Sequence, residues 1–148
     1  MRVVGLDLGA RRIGVAVSDP SGTVATPHSV LQRSGDHAAD HRAVAAVVAE
    51  YEADLLVVGL PRSLDGSLGP AAQGALIEVD ELADAVPVPV ETVDERLTTV
   101  SADRVLREAS VKGQARRQVI DKVAAAILLQ TWLDGRDRHD DAGGGRRG

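Results

Sequence analysis

The sequence predicts an α/β fold: a mixed five-stranded sheet, made of a three-strand antiparallel meander plus two parallel strands, with helices on both faces. Three observations predict it. Three short apolar runs near the N-terminus are joined by short turns. The apolar spacing then changes to that of a helix. Two later apolar runs alternate with further helical segments, and the length of 148 residues is typical of one domain.

The meander occupies the first thirty residues. Val3–Leu8 is the first predicted strand, and residues 9–12 (Gly-Ala-Arg-Arg) form the turn after it. Ile13–Ser18 is the second strand. Val24–Gln32 is the third and weakest, because Pro27 has no N–H to donate to a neighbouring strand. Such short connections favour antiparallel neighbours.

The middle of the chain alternates helices and strands. Apolar side chains at helical spacing in residues 44–51 predict a helix. Asp54–Gly59 is a continuous apolar run, typical of a strand buried on both faces. Residues 76–86 predict a second helix, and Val88–Val93 a fifth strand. Residues 61–70 form a loop with two glycines between them.

Two more helices and a tail complete the predicted organisation. Residues 102–109 carry a third helical pattern, and Arg117–Leu133 is the longest and most apolar helix. The remaining residues, 135–148, are mainly glycine, arginine and aspartate, which predicts a disordered tail. We therefore expect a single folded domain at residues 1–134.

Composition excludes several classes of protein. Cysteine is absent, which excludes a disulfide scaffold, a thiolate zinc site and a cysteine nucleophile. One Trp, one Tyr and no Phe argue against binding single strands by base stacking. The first apolar run contains Asp7, so it is no signal peptide, and Val123–Leu133 is too short to span a bilayer. We expect a cytoplasmic protein without a membrane partner.

Charge is unevenly distributed along the chain. The net charge is -5, but residues 36–94 hold twelve acids against two arginines. Residues 1–35 and 95–122 each carry a net positive charge. An acidic protein can therefore still present one basic face to a polyanion such as nucleic acid, whereas the acidic helices should face away from it. Ordinary solvated surfaces are the alternative interpretation.

Carboxylates occur where they are costly to bury. Asp7 lies in the middle of the first strand, and Asp94 and Glu95 follow the fifth. Asp121 lies on the apolar stripe of the last helix. Each could be a structural acid. Together they suggest a site for divalent metal, because Mg²⁺ or Mn²⁺ prefers oxygen ligands and can promote attack on a phosphodiester.

Four blocks of sequence resemble the YqgF family, also called RuvX. Gly5–Asp19 resembles the opening motif of that family. Val57–Pro61, with Asp65-Gly66 after it, resembles its fourth-strand motif. Asp94–Thr99 resembles its fifth-strand motif, and Asp121–Gln130 its last helix. The blocks occur in order and at the right spacing, and the match runs from residue 2 to about residue 133.

The resemblance implies a ribonuclease H-like fold related to the RuvC resolvases. It implies a metal-dependent nuclease that processes the 5′ end of pre-16S rRNA in ribosome biogenesis. The alternative is a Holliday junction resolvase acting on four-way DNA junctions, which would need a homodimer, whereas a processing nuclease could act as a monomer. A second alternative is a non-catalytic nucleic-acid-binding module. An ATP-binding relative of the actin and sugar-kinase class is excluded by length, because it needs two domains.

The resemblance also assigns residues. Asp7, Glu95 and Asp121 match the catalytic, metal-binding acids of the family, with Asp94 as the alternative middle ligand. RuvC-type enzymes carry another acid three residues after the last one, where this chain has Ala124, so the number of metal ions stays open. We expect a nucleic-acid track from basic and hydroxyl residues next to these acids in sequence: Arg11, Arg12, Arg96, Thr98, Thr99, Lys112, Arg116 and Arg117.

A histidine pair offers a weaker signal. His37 and His41 are spaced i, i+4 on one helix face, which is a spacing that can hold zinc. No third ligand is near them in sequence, and the apolar stripe of the helix was expected elsewhere. The sequence therefore favours a solvated face for this pair.

Overall fold

The computed structural model describes residues 1–61, 69–97 and 114–142, with the backbone alone for residues 97, 114–119 and 137–142. The predicted helix at residues 102–109 lies outside this part of the chain. Within it, no helix is long and apolar enough to cross a bilayer.

One five-stranded sheet organises the fold, in the order β3-β2-β1-β4-β5. Strands β1 (Val3–Leu8), β2 (Arg12–Ser18) and β3 (Ala25–Gln32) form the antiparallel meander. Strands β4 (Leu55–Leu60) and β5 (Val90–Asp94) are added in parallel on the other side of β1. The predicted sheet is therefore confirmed, including the position of β3 at an edge, where Pro27 is tolerated.

Helices cover both faces of the sheet, as predicted. Helix α1 (His37–Glu50) begins at Asp36, whose side chain accepts a hydrogen bond from the Ala38 N–H. Helix α2 (Pro70–Ala85) begins with a proline at its first position. A short 3₁₀ turn, Glu95–Leu97, follows β5.

The last helix is longer than the sequence predicted. Helix α3 spans Gln114–Ala142, so it begins before Arg117 and continues beyond residue 134, where the disordered tail was expected to start. Apolar periodicity ends near Leu133, but a helix does not have to stop where its buried stripe stops. Residues 143–148 lie outside the described chain, and the division into a domain at 1–134 and a tail at 135–148 remains a prediction.

Two hydrophobic cores lie on opposite faces of the sheet. Helices α1 and α2 cover one face, packing Val44 and Leu82 against Val4 and Leu6 of β1. Helix α3 covers the other face with its buried apolar side chains, chiefly alanines and leucines. Because side chains alternate along a strand, the remaining positions of β1 (Val3, Gly5, Asp7) face α3.

Glycines allow α3 to lie directly on the sheet. A Cβ atom on Gly5 would lie 2.8 Å from Cβ of Leu129, and one on Gly14 would collide with the backbone carbonyl of Asp121. Any larger residue at these positions would push the helix away. The glycines of the opening motif therefore fix the height of α3 above β1 and β2.

Candidate functional site

Asp7 lies at the centre of the candidate site. It is near the carboxyl end of β1, only 3% exposed, and faces α3. Its partner across the antiparallel pairing is Gly14 of β2. On the other side, β4 pairs Val58 with Leu6, which brings Gly59 beside Asp7. Asp7 is thus flanked by two glycines that leave room above the sheet.

Asp121 occupies the space above one of these glycines. The backbone carbonyl of Asp121 lies over Gly14, so α3 delivers this residue next to Asp7. Its carboxylate accepts a hydrogen bond from Nε of Arg12 at 2.5 Å, and the two side chains are 13% and 15% exposed. The arginine offsets one negative charge at the site.

Glu95 occupies the space above the other glycine. It begins the 3₁₀ turn after β5 and is 8% exposed. A Cβ atom on Gly59 would lie 3.4 Å from Cγ of Glu95 and would also meet Leu128 of α3. Glu95 therefore lies on the same face as Asp7 and Asp121. Burial raises the pKa of Glu95, and the charge of Asp94 raises it further.

Asp94, the alternative middle acid, is held differently. Its register partner is Leu60, which packs on the α2 side of the sheet. Its carboxylate accepts hydrogen bonds from the backbone N–H of Arg96 at 2.9 Å and from the Arg96 guanidinium at 2.6 to 3.2 Å. This geometry favours Glu95 over Asp94 as the acid directed toward the candidate site.

The chemistry of this cluster suits a divalent cation. Three carboxylates from separate elements lie on the same face of the sheet around β1, and one guanidinium contacts Asp121. Their oxygens do not all come within 4.8 Å of one another in the described part of the chain. Oxygen donors are the ligands that Mg²⁺ and Mn²⁺ prefer. The position of the additional acid of RuvC-type enzymes, Ala124, is buried on the underside of α3 and supplies no oxygen from a side chain.

The predicted nucleic-acid residues fall into three groups. Arg11 is exposed in the β1–β2 turn. Arg12 contacts Asp121 at the candidate site. Arg96 contacts Asp94, whose register partner packs on the α2 side of the sheet. The others have no described side chain, because they lie outside the described residues or at the backbone-only start of α3: Thr98, Thr99, Lys112, Arg116 and Arg117.

A buried network behind the β1–β2 turn was missed from the sequence. Arg33 donates through Nε to the carbonyl of Gly9 at 3.0 Å, and through Nη1 and Nη2 to Glu78 at 2.6 and 3.0 Å. His41 contacts the same carboxylate at 2.8 Å. The network ties the turn that follows Asp7 to both α1 and α2.

The structure corrects one expectation about this network. His41 was expected on a solvated face of α1, yet it is only 2% exposed. Its partner Glu78, on the acidic helix α2, is 5% exposed. A signal was present, because His41, Val44 and Val48 share one helical stripe at i, i+3 and i+7. The burial of His41 was not predicted because its compensating partner, Glu78, lies 37 positions away in the sequence.

Comparison with protein families and curated proteins gives a consistent result. The model of the RuvX family, described as Holliday junction resolvase, matches residues 1–135. A protein of Rhodococcus opacus (strain B4), named "Putative pre-16S rRNA nuclease", is 49% identical over 96% of this chain and 82% of its own length. A protein of the same name from Pelotomaculum thermopropionicum is 44% identical over 99% of this chain and 95% of its own length.

Comparison with solved structures supports the fold. The RuvC protein of Thermus thermophilus, solved in complex with a Holliday junction substrate, is similar with a TM-score of 0.59 and 19% identity. The match covers 92% of this chain and 95% of that one. At this identity the likeness speaks for the fold alone, and it confirms the predicted ribonuclease H-like class.

Proposed function

The chain belongs to the RuvX family, and from this premise we propose that it is a metal-dependent nuclease that processes the 5′ end of pre-16S rRNA. The observation that carries the proposal is the placement of Asp7, Glu95 and Asp121 on one face of the sheet, beside Gly14 and Gly59. Carboxylate oxygens are the ligands that Mg²⁺ and Mn²⁺ prefer. The name carried by the curated relatives supports the choice of RNA.

We assign Mg²⁺ or Mn²⁺ as the cofactor. Asp7, Glu95 and Asp121 would hold it through carboxylate oxygens. The bound cation would polarise the scissile phosphate and promote attack by water. Asp7 lies between the other two acids and is the ligand best placed to be shared by more than one ion. Burial of Asp7 and Glu95 keeps bulk water away, which strengthens electrostatic interactions at the site.

Two arginines that are paired with acids, Arg12 and Arg96, are assigned to substrate positioning. Arg12 is held by Asp121 and Arg96 by Asp94, so both guanidinium groups are oriented before any substrate arrives. Arg11, exposed in the same turn as Arg12, would extend this surface along a phosphate backbone. Binding through such contacts should weaken steeply as salt is added.

A four-way DNA junction is the second candidate substrate. The description of the matching family model favours it directly. This activity requires two symmetric cuts, so it predicts a two-fold homodimer, whereas RNA processing is compatible with a monomer. A module that binds nucleic acid without cutting it is the third candidate, and the presence of all three acids on one face of the sheet argues against it.

The test is a side-by-side cleavage assay. A labelled RNA carrying the pre-16S 5′ leader and a mobile four-way DNA junction are each incubated with the wild type and with Asp7→Asn. Mg²⁺, Mn²⁺ and EDTA are compared. Asp84→Asn, an exposed aspartate on α2, is the matched control. Circular dichroism verifies that all three proteins are folded.

Each outcome decides between the candidates. Metal-dependent cutting of the RNA that is lost in Asp7→Asn and kept in Asp84→Asn supports the proposal. Paired symmetric nicks in the junction, with no cutting of RNA, would transfer the assignment to the resolvase. Binding without cutting under every condition, or full activity of Asp7→Asn, would refute the proposed active site.

A further inference from the structure

We propose that the chain also binds a zinc ion between α1 and α2, with His37, His41 and Glu78 as ligands. One ligand atom from each residue lies within 4.8 Å of the other two. The two histidines are one turn apart on α1, and Glu78 reaches them from α2. These helices cover the face of the sheet opposite to Asp7, so this site and the candidate nuclease site are separate and the inference does not depend on the proposed function.

The donor set selects for zinc over magnesium. Two imidazole nitrogens and one carboxylate oxygen form a known set of zinc ligands, whereas Mg²⁺ favours oxygen alone. His41 and Glu78 are already in contact, with Nε2 and Oε2 2.8 Å apart, and both are buried. The Nδ1 atom of His37 lies 2.9 Å from Oε1 of Glu81, a carboxylate contact that would leave Nε2 available to a metal.

A second observation at the same place supports a bound cation. His37, Asp40 and Glu78 line one cavity of about 440 Å³. Asp40 is 5% exposed, and among the described residues its Oδ2 atom has no hydrogen-bond partner. A buried carboxylate oxygen without a donor is costly. A zinc ion, or water bound to it, would supply the missing interaction.

Electrostatics and flexibility allow the ion to enter. Arg33 donates to both oxygens of Glu78, so a zinc ion would share this carboxylate with the guanidinium. Asp40, Glu78 and Glu81 together outnumber the charge of Arg33 and the partial positive charge at the start of α1. Tetrahedral zinc needs its ligand atoms about 3.3 Å apart, closer than the 4.8 Å limit of this cluster. The His37 side chain is 53% exposed, so it can turn inward toward the two buried ligands.

The test measures zinc binding to the tag-free full chain. Equilibrium dialysis and calorimetry with Zn²⁺ are carried out in excess Mg²⁺, so that the oxygen-rich site is not counted. His37→Ala is the test variant because its exposed position permits folding. His28→Ala, which removes a histidine of β3 outside the cluster, is the matched control. X-ray absorption at the zinc edge reads the ligands directly.

The expected result is one zinc ion per chain in the wild type and in His28→Ala. Affinity in His37→Ala should fall at least about 100-fold, more than the loss typical for partners outside the first coordination shell. The absorption spectrum should show histidine ligands with zinc–nitrogen distances of about 2.0–2.1 Å. Undiminished binding by His37→Ala, a spectrum without imidazole, or no saturable zinc binding by the wild type would overturn the inference.

Discussion

Replacing Gly14 with alanine should slow RNA cleavage while the protein stays folded. An ideal Cβ at this position would lie 2.2 Å from the carbonyl oxygen of Asp121 and 2.8 Å from its carbonyl carbon. Real Cβ atoms essentially never approach a heavy atom within 3.0 Å. The obstacle is helix backbone, so no side-chain rotation can relieve it. Helix α3 must therefore retreat by about 0.8 Å or more at Asp121.

The magnitude of the effect follows from this displacement. Overpacking of this kind destabilises a protein by about 1–3 kcal/mol. A misplacement approaching 1 Å at a catalytic group costs about 100-fold in rate. We therefore expect Gly14→Ala to stay folded at 25 °C, with its urea midpoint lowered, and to cleave RNA about 100-fold more slowly under single-turnover conditions.

Gly74→Ala is the matched control for this experiment. Gly74 lies on α2, and a Cβ atom there would meet nothing within 4 Å. This change should leave the cleavage rate unaltered and stabilise the helix by about 0.5–1 kcal/mol. If folded Gly14→Ala cleaves RNA as fast as the wild type, the position of Asp121 does not limit catalysis and the reasoning fails.

Three further predictions concern separate parts of the molecule. At saturating metal, Glu95→Gln should reduce the rate of RNA cleavage at least about 100-fold, whereas Asp94→Asn should reduce it only a few-fold. The reverse order would identify Asp94 as the metal ligand. Arg33→Ala should lower the free energy of unfolding in urea by about 3 kcal/mol, because it leaves the buried Glu78 without its guanidinium partner; a loss below about 1 kcal/mol would contradict this. Hydrogen bonds from the Ser21 hydroxyl and from the N–H groups of residues 24 and 23 hold the pKa of Asp19 well below its ordinary value. The stabilising effect of ionised Asp19 is thus complete above about pH 4 and is lost as pH falls through that lowered pKa. In Asp19→Asn the free energy of unfolding should therefore fall less steeply with decreasing pH. An NMR titration that finds Asp19 at its ordinary pKa would refute the assignment.

The fold could be predicted almost completely because local patterns and topology agree. Short turns joined β1, β2 and β3, and the continuous apolar run of β4 required burial on both faces. The limits of α3 could not be predicted, because its helix continues past Leu133, where the apolar stripe ends. Periodicity reports burial, and a helix also forms where nothing is buried.

The sequence indicated which acids are candidates for the site, but it could not predict how they are placed relative to one another. Asp7 and Asp121 stood out as acids among apolar residues, and the resemblance supplied Glu95. The sequence could not decide between Asp94 and Glu95, which are adjacent. The structure places Glu95 close to Gly59 on the α3 face, and its role as the middle ligand stays a prediction. The pairing of Arg33 with Glu78 joins residues 45 positions apart, and no local pattern encodes it.

The proposed nuclease site depends on the last helix of the chain to be synthesised. Arg12 and Asp121, which meet at the candidate site, are separated by 109 residues. A nascent chain that has emerged only as far as β5 carries Asp7 and Glu95 but has no α3 to lay across the glycines. The proposed metal site is then incomplete, and the face of the sheet that α3 covers is exposed. The proposed nuclease activity therefore requires that α3 has been synthesised and has packed on the sheet.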